Sequence, residues 1–249
     1  MIKKKKPKIV LDPKKIPQHI GIIMDGNRRW AAKKGLTVVQ GHEAGVKALE
    51  KIVDHCLKLG VKTLTIYALS TENWRKRAKE EVKGIFNLLL RIVEEKKEEY
   101  KKKGIKLAIL GDFQAFPRKV VRAIEEMLKI VKKHERLKVN VALNYGGRDE
   151  ILRAVKKIVA EKIPPEKIDE KTFGKFLYTN AEPDPDLMIR TGGQIRLSNF
   201  LLWQLSYAEL YFTDTLWPDF NPAELDKAIA DYQSRQRRFG GGKFEEYKK

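Results

Sequence analysis

The sequence predicts an α/β protein: a single domain on a central, mainly parallel sheet with helices on both faces. Three observations lead there. Short apolar runs of strand length alternate with helical patterns along the chain, the order that strand–helix–strand crossovers produce. Four of the runs end alike, in polar or charged residues beside small ones: Asp25-Gly26-Asn27, Ser70-Thr71-Glu72-Asn73, Asn144-Tyr145-Gly146-Gly147 and Arg190-Thr191-Gly192-Gly193. No repeat or obvious linker interrupts the 249 residues, a length that one α/β unit accommodates.

The elements follow in order. The first 16 residues form a basic tail with Pro7 and Pro13, expected to be disordered or loosely attached. Residues 19–25 read as a buried strand, because its apolar run is continuous. The run breaks at Gly26, after a carboxylate, and delivers an amide, two guanidinium groups and an indole (Asn27, Arg28, Arg29, Trp30). A short helix is expected over 30–34. A longer one follows over 43–59, where Val46, Leu49, Ile52, Val53 and Cys56 recur at helical spacing before Gly60. Residues 61–69 are strand-like and run into a polar loop over 70–77. A long helix is expected over 79–103, apolar in its first half and charged in its second, ended by Gly104. A strand over 105–110 comes next. Pro117 suits the first turn of a helix reaching residue 134. A strand over 137–143, helices over 149–161 and 171–178 and a short strand over 187–189 follow. Residues 200–212 are apolar with Glu209 set among them, and Asn221 caps a last helix over 222–236.

Lys plus Arg number 52 against 33 for Asp plus Glu, a formal charge of +19. Such a surplus favours anionic partners: nucleic acid, phosphorylated small molecules or an acidic membrane surface. Composition does not choose among them, and lysine runs such as Lys101-Lys102-Lys103 read as solvated surface. The single cysteine, Cys56, excludes an intrachain disulfide and a cysteine-based zinc site, and suits a reducing cytoplasm. No apolar stretch approaches the ~20 residues of a membrane span, and no apolar signal core follows the basic start. A soluble chain, at most peripheral to a membrane, is expected.

In a parallel sheet the carboxyl ends of the strands share one edge. Arg28, Arg29, Arg190 and Arg196 are therefore expected to converge, with His42 near by. Guanidinium forks around a glycine-rich edge suit a diphosphate, whose oxygens they bind in pairs. Asp25 and Glu209 stand out among the carboxylates, since Mg²⁺ takes one or two carboxylates plus phosphate oxygens. An unpaired charge inside an apolar run is costly, so Glu209 needs either a metal or a buried Arg. The phosphate-loop, dinucleotide and nucleophile-elbow motifs are absent from the sequence. The helix bearing Phe86, Leu89, Leu90 and Val93 reads either as ordinary core or as the wall of a hydrocarbon pocket.

Seven motifs occur in a fixed order: Asp25-Gly26-Asn27-Arg28-Arg29-Trp30, Gly41-His42, Ser70-Thr71-Glu72-Asn73-Trp74, Asn144-Tyr145-Gly146-Gly147-Arg148, Arg190-Thr191-Gly192-Gly193, Arg196-Leu197-Ser198-Asn199-Phe200-Leu201-Leu202-Trp203-Gln204 and Glu209-Leu210-Tyr211-Phe212. In this the chain resembles the cis-prenyltransferases of the undecaprenyl diphosphate synthase type, over residues 17–242, with a tail over 243–249. The resemblance implies a central six-stranded parallel sheet with an apolar tunnel under the strand ends. It also implies a homodimer and Mg²⁺-dependent condensation of isopentenyl diphosphate onto an allylic diphosphate such as farnesyl diphosphate. Nucleic acid is not an expected partner. Peripheral association with the inner membrane face is compatible with it.

Residue by residue, the resemblance implies that Asp25 holds Mg²⁺ and is essential to ionising the allylic diphosphate. Gly26, Asn27, Arg28 and Arg29 would cradle that diphosphate, assisted by His42. Trp30 and Trp74 would flank the prenyl chain, and Ser70, Thr71 and Glu72 would line the site. Asn73 stands where the family's proposed proton acceptor sits. Arg190, Arg196 and Ser198, with Leu197 between them, would bind isopentenyl diphosphate, and Glu209 would complete the metal site. The segment Arg237-Arg238-Phe239-Gly240-Gly241 resembles one that reaches a neighbouring subunit. Three departures stand out. Lys76 and Arg77 replace a basic residue and a proline, which leaves Arg75, Lys76 and Arg77 as alternatives for the phosphate contact, Lys76 standing at the family's basic position. Gln194 replaces a frequent Glu, and Val38-Val39-Gln40 lacks a basic residue sometimes found before Gly-His. A non-catalytic partner subunit is the competing reading, opposed by the joint presence of Asp25, Asn73, Arg190 and Glu209.

Overall fold

The four strands with polar ends lie side by side in the middle of the sheet. The computed structural model describes residues 9–132 and 136–235. Six strands, β1 (His19–Ile23), β2 (Thr63–Ser70), β3 (Ile105–Leu110), β4 (Leu137–Tyr145), β5 (Leu187–Arg190) and β6 (Glu209–Phe212), form one sheet. Their order is β3-β4-β2-β1-β5-β6, and every pairing is parallel. Among the described residues eight α-helices flank it: α1 (Asn27–Lys33), α2 (Val38–Leu59), α3 (Thr71–Lys76), α4 (Lys79–Lys103), α5 (Arg118–Ile130), α6 (Gly147–Ala160), α7 (Glu170–Phe176) and α8 (Pro222–Ser234).

Strand β1 is buried along its whole length, as a central parallel strand must be. Ile20 and Ile22 join Leu64, Ile52 and Ile229 in one core, while Ile23 faces Met188 and Phe200 in another. Gly21 lies between them, and a Cβ there would stand 3.4 Å from the Phe200 ring. A third cluster, around Leu69, Phe86, Phe116 and Ile124, packs α4 and α5 beside β2 and β4.

Several boundaries differ from the sequence expectation for identifiable reasons. Helix α2 begins at Val38, not residue 43, because Thr37 and Gln40 form a reciprocal capping box. The expected loop at 70–77 is largely the helix α3, nucleated by Ser70, whose Oγ accepts the Asn73 N–H at 3.0 Å. Helix α5 ends at Ile130, and the last expected residues of that helix fall in 133–135, outside the described residues. The tail is anchored from Asp12 onward. Gln233 on α8 accepts the Asp12 N–H at 3.0 Å and donates to the Asp12 and Lys15 carbonyls, and Ile16 enters the core.

Candidate active site

Asp25 follows β1 directly, and its place is fixed through the backbone. Its N–H donates to Thr191 Oγ1 at 3.0 Å, and its carbonyl accepts from Thr191 Oγ1 at 2.7 Å and from the Trp217 N–H at 3.0 Å. Gly26 then turns the chain into α1 at φ +122°, where a Cβ would also meet Leu216 at 3.0 Å. The Asp25 carboxylate receives Arg29 Nη2 on Oδ1 at 3.0 Å and Arg190 Nη2 on Oδ2 at 3.1 Å. Arg29 also donates to the Gly192 carbonyl at 2.7 Å, closing α1 onto the end of β5.

Arg190 is a charged group in the interior, with its side chain 4% exposed. Besides Asp25 it donates to Ser198 Oγ at 2.8 Å and to the Arg196 carbonyl, while its buried Nε has no hydrogen-bond partner. A buried cation is costly alone, and the Asp25 carboxylate offsets that cost here. Arg196 Nε donates to the same Ser198 Oγ at 3.2 Å, and its Nη1 to Gln194 Oε1 at 2.5 Å. Gln194 therefore orients Arg196. Ser198 and Asn199 adopt left-handed backbone, φ +49° and +67°.

Asp25, Arg190, Arg196, Ser198 and Asn199 line a polar cavity of about 600 Å³, together with Asn27, His42, Ser70, Glu72, Asn73 and Arg77, a size typical of ligand sites. Arg77 caps the end of α3 and pairs with Glu81 at 3.0 Å. His42 Nε2 lies 3.4 Å from Glu81 Oε1, and Asn27 Nδ2 lies 3.5 Å from His42 Nδ1. Burial, with the Arg77 guanidinium beside it, holds the imidazole below its usual pKa. Burial alone would raise Glu72, but hydrogen bonds from backbone, Asn199 and Ser70 outweigh it and hold that carboxyl below the ordinary range.

A second, apolar cavity runs beneath the first. Met24, Asn27, His42 and Ala68 line both, so the two adjoin. Its walls are Val46, Leu49 and Val53 of α2, Ile85, Leu89 and Ile92 of α4, and Ile66 and Val141 of the sheet. Helix α4 descends from the polar mouth toward the start of β3, and Tyr100 lines the cavity about 30 Å down it.

The comparisons with known proteins agree. The family described as "Putative undecaprenyl diphosphate synthase" matches residues 23–240. An isoprenyl transferase of Aquifex aeolicus is 50% identical over 226 residues, covering 91% of this chain and 96% of that protein. The chain belongs to the undecaprenyl diphosphate synthase family. It is an isoprenyl transferase, a cis-prenyl diphosphate synthase. The Clostridium perfringens isoprenyl transferase is 48% identical over 94% of this chain and 93% of its own. Among solved structures, lavandulyl diphosphate synthase from Lavandula x intermedia, in complex with dimethylallyl diphosphate, superposes with a TM-score of 0.87. Its identity is 38%, over 91% of this chain and 99% of that one. A probable undecaprenyl diphosphate synthase from Campylobacter jejuni gives a TM-score of 0.76 and 37% identity, over 90% and 98%.

In this isoprenyl transferase the structure gathers Asp25, Asn27, His42, Ser70, Glu72, Asn73, Arg190, Arg196 and Ser198 on one cavity. Gly26, Arg29 and Thr71 stand just behind it, and Arg28 is exposed near His42 and Arg77. The five other expected site residues lie off this cavity. Lys76 is exposed, and Arg77 takes the cavity position, because the chain leaves helical geometry at Arg77 and redirects its side chain. Trp30 lines neither cavity: its Nε1 donates to Asp219 at 2.8 Å and Lys34 lies over its ring. Trp74 packs against Phe86 and Phe116 in the third core cluster, and Leu197 packs in the second. Glu209 does not join Asp25 within one chain. It begins β6 opposite Leu187, which is level with Ile20. Asp25 is thus five residues farther up the sheet, about 16 Å along the strand direction alone. Glu209 pairs instead with Arg235 at 2.8 Å. Glu81 and Asn199 were not singled out in the sequence, although Glu81 is four residues from Arg77 and Asn199 lies within a quoted motif. The segment at 237–241 lies outside the described residues.

Proposed function

We propose that this chain elongates an allylic diphosphate, such as farnesyl diphosphate, by repeated cis addition of isopentenyl diphosphate, giving a long product of the undecaprenyl class. The observation that carries this reading is an arginine-rich cavity adjoining an apolar one, with four residues lining both. A diphosphate head belongs in the first and a growing hydrocarbon in the second.

In each cycle the allylic C–O bond breaks and diphosphate leaves. The isopentenyl double bond attacks the allylic carbon, and one proton departs to form the new double bond. Arg29, paired with Asp25, would stabilise the allylic diphosphate's charge as it develops, and Arg190, with Arg196 and Ser198, would hold isopentenyl diphosphate. His42 stays neutral and donates through Nε2, keeping Glu81 and Arg77 in place. The apolar walls exclude water from the allylic cation. Asn73, an amide, would orient the neighbourhood of the departing proton rather than carry it away.

Among the described residues no cluster of three or more His, Cys, Asp or Glu is placed to hold a metal. Mg²⁺ needs only one or two carboxylates when substrate phosphates supply further oxygens. The Asp25 carboxylate, 29% exposed at the cavity wall, fits that role alone within the chain. Bound there, Mg²⁺ would neutralise the leaving diphosphate. The presence of Asp25, Asn73 and Arg190 on one cavity favours a catalytic chain over a partner subunit that keeps only the fold. A short-chain product is the second reading, favoured by the likeness to lavandulyl diphosphate synthase; apolar lining that extends along α4 from Ile85 to Tyr100 favours the long one. A homodimer remains part of the proposal, as does membrane-surface contact; among the described residues no helix is long and apolar enough to cross a membrane. Incubation with labelled isopentenyl diphosphate, farnesyl diphosphate and Mg²⁺ should give a ladder of butanol-soluble products. No product with farnesyl, geranyl or geranylgeranyl primers would refute it.

A further inference from the structure

Asn199 stands where three pieces of the site meet. Its carbonyl accepts the Gly147 N–H at 2.7 Å, and its Oδ1 accepts the Arg148 N–H at 2.9 Å, both at the start of α6. Its Nδ2 donates to Glu72 Oε1 on α3 at 2.9 Å. The backbone is left-handed, φ +67°, which Asn tolerates better than other side chains do. Such a conformation persists only where its surroundings over-determine it. Gly146 makes room for the amide: a Cβ there would lie 2.7 Å from Nδ2. The preceding residue is Ser198, whose Oγ accepts from both Arg190 and Arg196. The residue after Glu72 is Asn73, which lines the same cavity from α3.

We propose that Asn199 is a positioning residue that locks the Arg190–Ser198–Arg196 cradle to the α3 wall carrying Glu72 and Asn73. The isopentenyl diphosphate head and the group beside the departing proton are then held in one register. This rests on the elongation reading above. Nothing in it requires Asn199 to touch the allylic substrate.

The test uses Asn199→Ala and Asn199→Asp in the full chain. Loss of the hydrogen bond to a charged partner should raise the KM for isopentenyl diphosphate about tenfold in Asn199→Ala, with the farnesyl diphosphate KM within roughly twofold. In Asn199→Asp the new carboxylate faces Glu72, with Asp149 close by and Arg148, Lys76 and the Tyr67 hydroxyl around them. Two opposed carboxylates share a proton more readily as pH falls. Activity of that variant should therefore recover relative to wild type as pH is lowered toward about 6. Equal losses for both substrates in Asn199→Ala, or an Asn199→Asp profile parallel to wild type, would overturn the inference. Calorimetric binding of isopentenyl diphosphate separates the two claims. Weakened binding in both variants supports the positioning role even if wild type fails to elongate. Unchanged binding overturns that role and leaves the elongation reading standing.

Discussion

Replacing Arg190 by Lys keeps the charge and removes the geometry, so the effect isolates what the guanidinium fork does. Arg190 serves three acceptors at once, Asp25 Oδ2, Ser198 Oγ and the Arg196 carbonyl, from a site with almost no solvent. A lysine ammonium is a compact point charge and cannot span them. Keeping the Asp25 pair forfeits at least one charge-assisted bond and the alignment of Ser198. At ~1.5–3 kcal/mol for such a bond, the expected loss is about 3 kcal/mol in all. That corresponds to roughly 10²-fold in kcat/KM for isopentenyl diphosphate. The assay is initial-rate incorporation of labelled isopentenyl diphosphate with farnesyl diphosphate saturating, beside a denaturation curve to confirm folding. A folded Arg190→Lys enzyme within about threefold of wild type would refute the reasoning, because the fork would then carry no specific load.

Three further outcomes follow from the same geometry. Arg77→Ala should raise the KM for a diphosphate substrate about tenfold, whereas Lys76→Ala, on an exposed residue, should change it less than about twofold; steady-state kinetics of the pair decides. Tyr100→Ala opens the far end of the apolar cavity and should lengthen the product by one or more isoprene units, read by chromatography of the extracted lipid. His19 is buried, with Nδ1–H donating to the Pro183 carbonyl and Nε2 accepting from Thr65 Oγ1, each at 2.7 Å. Burial lowers its pKa against the opposing pull of the Pro183 carbonyl, Glu182 and Asp186. The unfolded chain then binds a proton that the fold refuses, so stability is full above about pH 6.5 and declines below it, with a slope of up to ~1.4 kcal/mol per pH unit from this group. Urea midpoints across that range test it, and His19→Gln should flatten the slope.

The strands, their order of use and the shared carboxyl edge were legible because their signals are local. A continuous apolar run followed by Asp-Gly-Asn marks a central strand wherever it occurs, and Gly60 and Gly104 end their helices at φ +81° and +71°. The start of α2 was legible too, in Thr37 and Gln40, but was masked by Gly41 and the β-branched pair Val38-Val39. What sequence did not supply was direction. Lys76 and Arg77 are neighbours with the same charge, and only the end of α3 decides which faces the ligand. Glu209 reads as a buried carboxylate like Asp25, yet the two stand at different heights of the sheet because β6 begins level with Ile20, near the start of β1, whereas Asp25 lies past the end of that strand. Trp30 follows Asp25 closely in sequence, and the first turn of α1 carries its indole to Asp219.

The most direct test of the central claim is the Mg²⁺ dependence of chain elongation in wild type and in Asp25→Ala. With labelled isopentenyl diphosphate and farnesyl diphosphate, wild type should give a product ladder that EDTA abolishes and added Mg²⁺ restores, and folded Asp25→Ala should give none. A ladder of similar yield from Asp25→Ala, or one indifferent to EDTA, would contradict the account.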